Sequence, residues 1–182
     1  IEKKKGKNFC ITEDDMHNSM RMRMEDIARK LFPTLPDEER LALLRECCEF
    51  ENGYVAEKGG ILFDGLEETL AALQEKAPLF IVSNCQSGYI EAFFKAHGLG
   101  TYFKDHEDPG RTGLDKAGNI RLVAERNGLR FPVYVGDTQG DCDSSKKAGV
   151  PFIFAEYGFG KVKEEDCDGI IRSIRELPGL FL

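Results

Sequence analysis

Two aspartates four residues apart follow a short apolar segment, and their spacing suits a metal site. The segment 133–135 runs into Gly136 and Asp137, and Asp141 lies one helical turn further on. Gly136 allows a sharp turn after a strand, so both carboxylates can face the same point. Because magnesium binds through one or two carboxylates together with water and phosphate oxygens, we predict that Asp137 and Asp141 hold Mg²⁺. The alternative is a helix N-terminus whose acids favour the helix dipole, and Asp143 is expected to point elsewhere into solvent.

Two further polar positions suit the binding of a phosphate group. Ser83 and Asn84 end the apolar segment 79–82, where a hydroxyl and backbone amides can bind phosphate oxygens. Lys116 starts a predicted helix, where the dipole disfavours its charge unless it serves a purpose such as neutralising phosphate. Each has an ordinary alternative, since Ser and Asn are common helix caps and Lys116 could be a surface lysine. Arg111 is a competing cation nearby.

From Gly59 onward the chain alternates between strand-length apolar segments and segments with helical periodicity. The predicted strands cover 79–82, 133–135 and 152–155, and a last helix is predicted through Ile170, Ile171, Ile174 and Leu177. This alternation predicts right-handed crossovers and an α/β fold with a doubly wound parallel sheet covered on both faces. Ligands of such sheets bind beyond the carboxyl ends of the strands, so Ser83, Asn84 and Asp137 should meet in one crevice.

The region before Gly59 predicts helices only. Thr12 and Asp15 have the spacing of a capping box, and the apolar residues after them recur at helical spacing in one helix that stops at Phe32-Pro33. Pro36 suits the first turn of a second helix. These patterns divide the chain into a helical domain, 1–58, and an α/β domain, 59–182.

Composition excludes several classes of function. The 182 residues are 41% hydrophobic, enough for one sizeable core and a small appended domain. The net charge of -7 argues against nucleic-acid and anionic-membrane partners, and no apolar run could cross a membrane. None of the six cysteines falls in a CxxC pair, and the Cys47–Cys48 pair is adjacent. We therefore expect no zinc site and a cytoplasmic protein with reduced thiols, and we take a monomer as the default state.

Three motifs resemble those of one known family. They are LFIVSN at 79–84, GLDKAGNI at 113–120, and VGDTQGD at 135–141 followed by KKAGVP. Together they resemble the haloacid dehalogenase superfamily of aspartate-nucleophile hydrolases, in particular the subgroup I, phosphoglycolate phosphatase-like and β-phosphoglucomutase-like members. The resemblance covers most of 59–157, and the last motif is the most specific. It implies a Rossmann-like sheet with a small all-helical cap.

The resemblance also implies a role for each candidate residue. Ser83 would hydrogen-bond a phosphoryl oxygen with help from Asn84, and Lys116 would pair with the phosphate. Asp137 would hold magnesium, and Asp141 would assist directly or through water. In the family, an aspartate attacks phosphorus to form an aspartyl-phosphate, and a second aspartate two residues later protonates the leaving group.

The first motif of the family, an apolar strand ending in Asp-x-Asp-Gly-Thr, has no match in this sequence. Glu13-Asp14-Asp15 is expected to cap a helix, and Asp64-Gly65 lacks the paired aspartate. We therefore expect the nucleophile strand and the start of the cap to lie upstream of Ile1. In the sheet, that strand would lie between the strands that end at Ser83 and at Asp137.

The resulting prediction is a magnesium-dependent phosphatase of a small phosphorylated metabolite. Phosphoglycolate-like acids, sugar phosphates and nucleoside monophosphates stay open as substrates, with Arg21 and Arg23 as candidates for specificity. The alternative is a truncated, catalytically inactive relative or a phosphate-binding module. A generic nucleotide-binding domain is disfavoured because GxGxxG and GxxxxGK[ST] are absent, and Gly158-Phe159-Gly160 is interpreted as a turn.

Overall fold

The computed structural model describes residues 11–17, 19, 22 and 24–181. Its α-helices are α1 Glu13–His17, α2 Met24–Leu31, α3 Asp37–Lys58, α4 Leu66–Gln74, α5 Tyr89–His97, α6 Pro109–Thr112, α7 Lys116–Arg126, α8 Gln139–Ala148 and α9 Leu177–Leu180. Its strands are β1 Leu79–Val82, β2 Phe103–Glu107, β3 Tyr134–Gly136, β4 Phe152–Ala155 and β5 Gly169–Ile171.

The strands form two parallel sheets, one of β1 and β2 and one ordered β3-β4-β5. Within the described ranges, no backbone ladder joins β1 to β3. A side chain joins them instead, because the Tyr134 hydroxyl donates to the Val82 carbonyl at 2.8 Å. The α/β fold with parallel strands is thus confirmed, and the strand expected between β1 and β3 stays a prediction.

Strand β4 explains how the larger sheet is covered on both faces. Its side chains alternate between the faces, as the pleat requires. Phe152 and Phe154 pack with Cys142 of α8. Ala155 packs on the opposite face with Leu73 of α4 and with α9. The sheet is therefore a buried layer between helices.

The N-terminal helices have a small core of their own, formed by Ala28, Phe32, Leu35 and Leu43. The predicted capping box is present, since Asp15 N donates to Thr12 Oγ1 at 3.1 Å and Thr12 N donates to Asp15 Oδ2 at 3.0 Å. The helical region is therefore confirmed. Helix α3 ends at Lys58 and Gly59 follows it, while the division into domains at this point stays a prediction.

The prediction of one long first helix is wrong. Helix α1 ends at His17 and α2 begins at Met24, while Ser19 lies in a turn and Met22 in a bend. The Ser19 hydroxyl donates to the Asp15 carbonyl at 2.5 Å. Such local side-chain bonds compete with the helical backbone pattern, which explains a break that apolar spacing alone does not reveal.

Two further predictions need correction at the sheet edges. Gly169–Ile171 is the strand β5, and the expected last helix is only a 3₁₀ turn followed by the short α9. Strand β2 was not predicted because it carries Lys104, Asp105, His106 and Glu107. Arg126 neutralises two of these charges, at 2.8 Å from Asp105 and 2.7 Å from Glu107.

Five of the six cysteines lie in the described part of the chain. Cys47, Cys48, Cys85, Cys142 and Cys167 are all free thiols, and Cys10 lies outside the described residues. Among the helices of the described chain, none combines the length and the apolar character needed to cross a membrane.

The packing of β4 predicts the stability of one variant pair. Phe152 is fully buried and Phe131 is 93% exposed. We expect Phe152→Ala to lower the free energy of unfolding by about 3 to 5 kcal/mol, because it leaves a cavity under α8. Phe131→Ala should change it by less than about 0.5 kcal/mol. Urea denaturation followed by circular dichroism measures both, and equal losses would contradict this view of the core.

Candidate functional site

A cavity of about 960 Å³ brings all five predicted site residues together. Ser83, Asn84, Lys116, Asp137 and Asp141 line it from the α/β region, where the segments after β1 and β3 and the start of α7 meet. Several residues of α2 and α3 line the other side. The expected meeting of these residues in one crevice therefore exists in the structure, while their chemical roles stay predictions.

The centre of the site is a buried ion pair between Lys116 and Asp141. The side chain of Lys116 is 12% exposed and that of Asp141 is 7% exposed. Lys116 is the first residue of α7 because Asp115 caps that helix, accepting a hydrogen bond from Gly118 N at 2.7 Å. The lysine therefore points inward and is not a surface lysine.

Asp141 is held by donors from the turn that starts α8. Its Oδ2 accepts from Thr138 Oγ1 at 2.8 Å, from Thr138 N at 3.1 Å and from Asp137 N at 3.2 Å. Thr138 and Asp141 together form a capping box. A side chain at Gly136 would place its Cβ 2.6 Å from Asp141 Cβ, so this close approach requires glycine. Asp141 thus lies in the first turn of α8, as the alternative interpretation expected, while its role toward magnesium stays a prediction.

The electrostatics of this pair favour two charged side chains. Burial opposes the charge of Lys116, but the neighbouring Tyr134 hydroxyl and the Asp141 carboxylate outweigh it and raise the pKa of Lys116. Burial likewise opposes the charge of Asp141, but Lys116 and the Thr138 donors lower the pKa of Asp141 below its ordinary value. Since the charges of Lys116 and Asp141 cancel, the net negative charge of the three side chains Lys116, Asp141 and Asp137 is that of Asp137.

Asp137 is positioned by a loop that was interpreted only as a turn. Phe159 N donates to Asp137 Oδ2 at 2.7 Å. A Cβ at Gly158 would collide with the Asp137 side chain, and a Cβ at Gly160 would collide with the Asp137 carbonyl. In the sequence, the spacing of these two glycines indicates a turn. It does not indicate which residue the turn contacts, so the contact with Asp137 could not be inferred.

One carboxylate oxygen of the site is open to a magnesium ion. Among the described residues, no hydrogen bond reaches Asp137 Oδ1, whereas both oxygens of Asp141 are occupied. The described part of the chain has no group of three or more His, Cys, Asp or Glu side chains arranged for a metal. Magnesium needs only one or two carboxylates when water and phosphate complete its shell. Asp137 therefore fits as a direct ligand, and Asp141 fits as a ligand through water.

Ser83 and Asn84 lie in a loop directly after β1. Ser83 N donates to the Glu107 carbonyl at 3.1 Å, which continues the pairing with β2. The Ser83 hydroxyl accepts from Cys85 N at 3.3 Å and lines the cavity. Helix α5 begins later and its N-cap is Gly88. Ser83 and Asn84 are therefore not its caps, and its N-terminus is not directly behind them.

Tyr134 is a site neighbour that the sequence analysis missed. The Lys116 ammonium lies 5.9 Å from the centre of the Tyr134 ring. Burial raises the pKa of Tyr134 to about 12, so its hydroxyl is a neutral donor to Val82 at physiological pH. An apolar strand pattern gives no signal for such a contact.

The other candidates lie elsewhere. Arg111 is 3.0 Å from His106 Nε2 and 3.5 Å from Glu91, away from the cavity lining. Asp143 is exposed and accepts from Gln139, and Asp64 is exposed beside Arg175. Glu13, Asp14 and Asp15 start α1 and are not among the residues that line the cavity. Arg21 and Arg23 lie outside the described residues.

Hydrogen bonds connect α3, on the helical side of the cavity, to the loop after β1. Gln86 Nε2 donates to Glu51 Oε2 at 2.9 Å and to Asn52 Oδ1 at 3.1 Å. Asn52 Nδ2 donates to the Ser87 carbonyl at 2.9 Å. These bonds fix α3 against the loop that carries Ser83 and Asn84.

Comparison with known proteins identifies relatives in sequence and in fold. The profile of the haloacid dehalogenase-like hydrolases matches residues 2–155. The chain is 32% identical over 167 residues to phosphoglycolate phosphatase of Escherichia coli strain K12, with 81% of this chain and 62% of the relative covered. The chain thus spans less than two thirds of that relative.

Two solved structures share the fold. A haloacid dehalogenase-like hydrolase from Streptococcus pneumoniae matches with a TM-score of 0.75 and 17% identity, covering 94% of this chain and 82% of that one. CbbY from Rhodobacter sphaeroides, solved in complex with phosphate, matches with a TM-score of 0.72 and 17% identity, covering 93% of this chain and 81% of that one. At these identities the likeness concerns the fold alone.

The buried ion pair predicts a pH-dependent loss of stability. Asp141→Asn leaves Lys116 buried without a counter-charge, and we expect it to lower the free energy of unfolding by about 3 to 5 kcal/mol at pH 7. Because the fold lowers the pKa of Asp141, its contribution is complete above the ordinary value of 3.8. It is lost as the pH falls through the still lower folded pKa. The difference between variant and wild type should therefore shrink below about pH 4.

Asp143→Asn is the matched control, since Asp143 is exposed on the same helix. It should change the free energy of unfolding by less than about 0.5 kcal/mol at either pH. Urea titrations at pH 7 and pH 3 measure both variants. A difference for Asp141→Asn that stays constant between pH 7 and pH 3 would show that the fold does not lower the pKa of the Asp141 carboxyl.

Proposed function

This chain belongs to the haloacid dehalogenase-like hydrolase family, and from that premise we propose that it forms most of a magnesium-dependent phosphatase. The observation that carries the proposal is the single cavity that joins Lys116, Asp141, Asp137 and the Ser83-Asn84 loop. A cation, a carboxylate with an open oxygen and a hydroxyl are together suited to a phosphate group and its metal.

The residues of the site divide the tasks of binding phosphate and magnesium among them. Ser83 donates its hydroxyl to a phosphoryl oxygen, and Asn84 adds its amide. Lys116 stabilises negative charge on the phosphoryl group while Asp141 keeps its ammonium oriented. Asp137 would hold magnesium, and Asp141 would assist. The bound metal would supply electrostatic stabilisation of the transferring phosphoryl group.

The nucleophile is proposed to be an aspartate upstream of Ile1, on a strand between β1 and β3. The acids that line the cavity among the described residues are Glu51, Asp137 and Asp141. Each is already held, by Gln86, by Phe159 N and by Lys116. A strand between β1 and β3 would also satisfy backbone groups on their facing edges. It would bring the aspartate to the edge where Ser83 and Asp137 lie.

The substrate is proposed to be a small phosphorylated metabolite. Phosphoglycolate is one candidate because the Escherichia coli relative is named a phosphoglycolate phosphatase. The apolar helical side of the cavity would enclose the leaving group and exclude water. We further propose a cytoplasmic monomer. A phosphate-binding module without turnover is the second candidate, favoured because each acid of the described lining, Glu51, Asp137 and Asp141, is already bonded to a neighbouring group.

A phosphate-release assay tests the activity. We expect the natural protein to hydrolyse phosphomonoesters with magnesium and to lose this activity when EDTA removes the metal. Lys116→Met should reduce the rate about 100-fold to 1,000-fold, because it removes the cation at the phosphoryl group. Lys104→Met, at an exposed lysine of β2, should leave the rate unchanged. An equal effect of both variants would contradict the role of Lys116.

A trapping experiment tests the origin of the nucleophile. An aspartyl-phosphate is reduced by borohydride to homoserine, so peptide mass spectrometry can locate the phosphorylated residue. We expect the modified peptide to precede Ile1 in a natural protein heavier than 20.4 kDa. The 182-residue chain should bind phosphate without turnover. Modification of Asp14, Asp15 or Asp64 would disprove the upstream nucleophile, and a natural mass of 20.4 kDa without turnover would favour the binding module.

A further inference from the structure

We propose that Lys161 binds a second anionic group of the substrate, a carboxylate on the leaving group, and thereby selects phosphorylated acids. This inference rests on the proposed phosphatase function and concerns the same cavity. It assigns a specificity role to a residue outside the motifs that carry the family resemblance.

The backbone on both sides of Lys161 is fixed. Before it, Phe159 N is bonded to Asp137 Oδ2 and Gly160 packs against the Asp137 carbonyl. After it, Val162 packs against the buried cluster of Cys142, Phe152 and Phe154. Lys161 is therefore held at a constant place relative to Asp137, and it lines the cavity.

The charges of the cavity leave Lys161 available for a ligand. Lys116 and Lys161 are the cations that line the cavity among the described residues. Lys116 is paired with Asp141 and lies deep in the site. No ion pair joins Lys161 to another residue in the described part of the chain, and its side chain is exposed. An anionic group bound beside the phosphate would therefore form an ion pair with the Lys161 ammonium.

The surrounding wall favours a small acid over a sugar. The helical side presents apolar residues, among them Met22, Met24, Ile27 and Leu31. Sugar hydroxyls placed against such a wall would lose their hydrogen bonds to water without replacement. The nearby acid Glu51 already accepts from Gln86. A short leaving group whose one polar end is a carboxylate at Lys161 suits this combination.

Binding of two phosphonates tests the proposal without turnover. 3-Phosphonopropionate carries a carboxylate, and propylphosphonate has a methyl group in its place. Isothermal titration with magnesium present measures both ligands on the full chain. The variant is Lys161→Met, and the control is Lys163→Met, at an exposed lysine of the same segment that pairs with Glu165 at 4.0 Å.

We expect the unmodified chain to bind the carboxylate ligand about tenfold more tightly than propylphosphonate, as one charge-assisted contact would give. Lys161→Met should remove this preference and leave propylphosphonate binding unchanged, while Lys163→Met should keep the preference. If Lys161→Met retains the preference, or the unmodified chain has none, the role of Lys161 is disproved while the phosphate site stands. If neither phosphonate binds, the proposed phosphatase site is itself wrong and the inference falls with it.

Discussion

The pairing of Lys116 with Asp141 is the interaction on which the rest of the site depends. Moving one charged group out of water costs several kcal/mol, and only a well-placed counter-charge with further hydrogen bonds offsets that cost. The local structure supplies both. Asp115 starts α7 at the lysine, Thr138 starts α8 three residues before the aspartate, and Gly136 lets the aspartate approach the strand. Two helix starts are thereby joined beside the ends of β1 and β3.

The same pairing sets the charge of the cavity. Because the charges of Lys116 and Asp141 cancel, the net charge near the strand ends is that of Asp137. One of its two carboxylate oxygens, Oδ2, accepts a hydrogen bond from Phe159 N. The apolar helical wall lowers the local dielectric, which strengthens the electrostatic interactions of each remaining charge. A metal ion and an anionic ligand should therefore bind more tightly together than separately, and by thermodynamic linkage each should help the other equally.

The sequence predicted those features that depend on local pattern. The strand 79–82 and the capping box at Thr12 follow from an apolar run and from cap residues, and both are present. The meeting of Ser83, Asn84 and Asp137 followed from the rule that ligands bind at the carboxyl ends of strands. Asp141 was placed by its spacing of one helical turn after Asp137, and Lys116 by the family resemblance. Tertiary contacts decide the features that the sequence did not predict. Strand β2 can carry acidic residues because Arg126 pairs with two of them, Asp105 and Glu107. The apolar pattern of β5 suits a helix equally well.

Three glycines without reactive groups hold the two acids in place. Gly136 faces Asp141, while Gly158 and Gly160 enclose Asp137 from the opposite loop. Any side chain at these positions would move a carboxylate, so natural variation there should be narrow even though none of the three can take part in chemistry. A survey of mutational tolerance would rank them with the acids themselves. Positions expected to evolve slowly in this protein therefore include three that carry no side chain, because a side chain there would occupy space that the two acids and their backbone need.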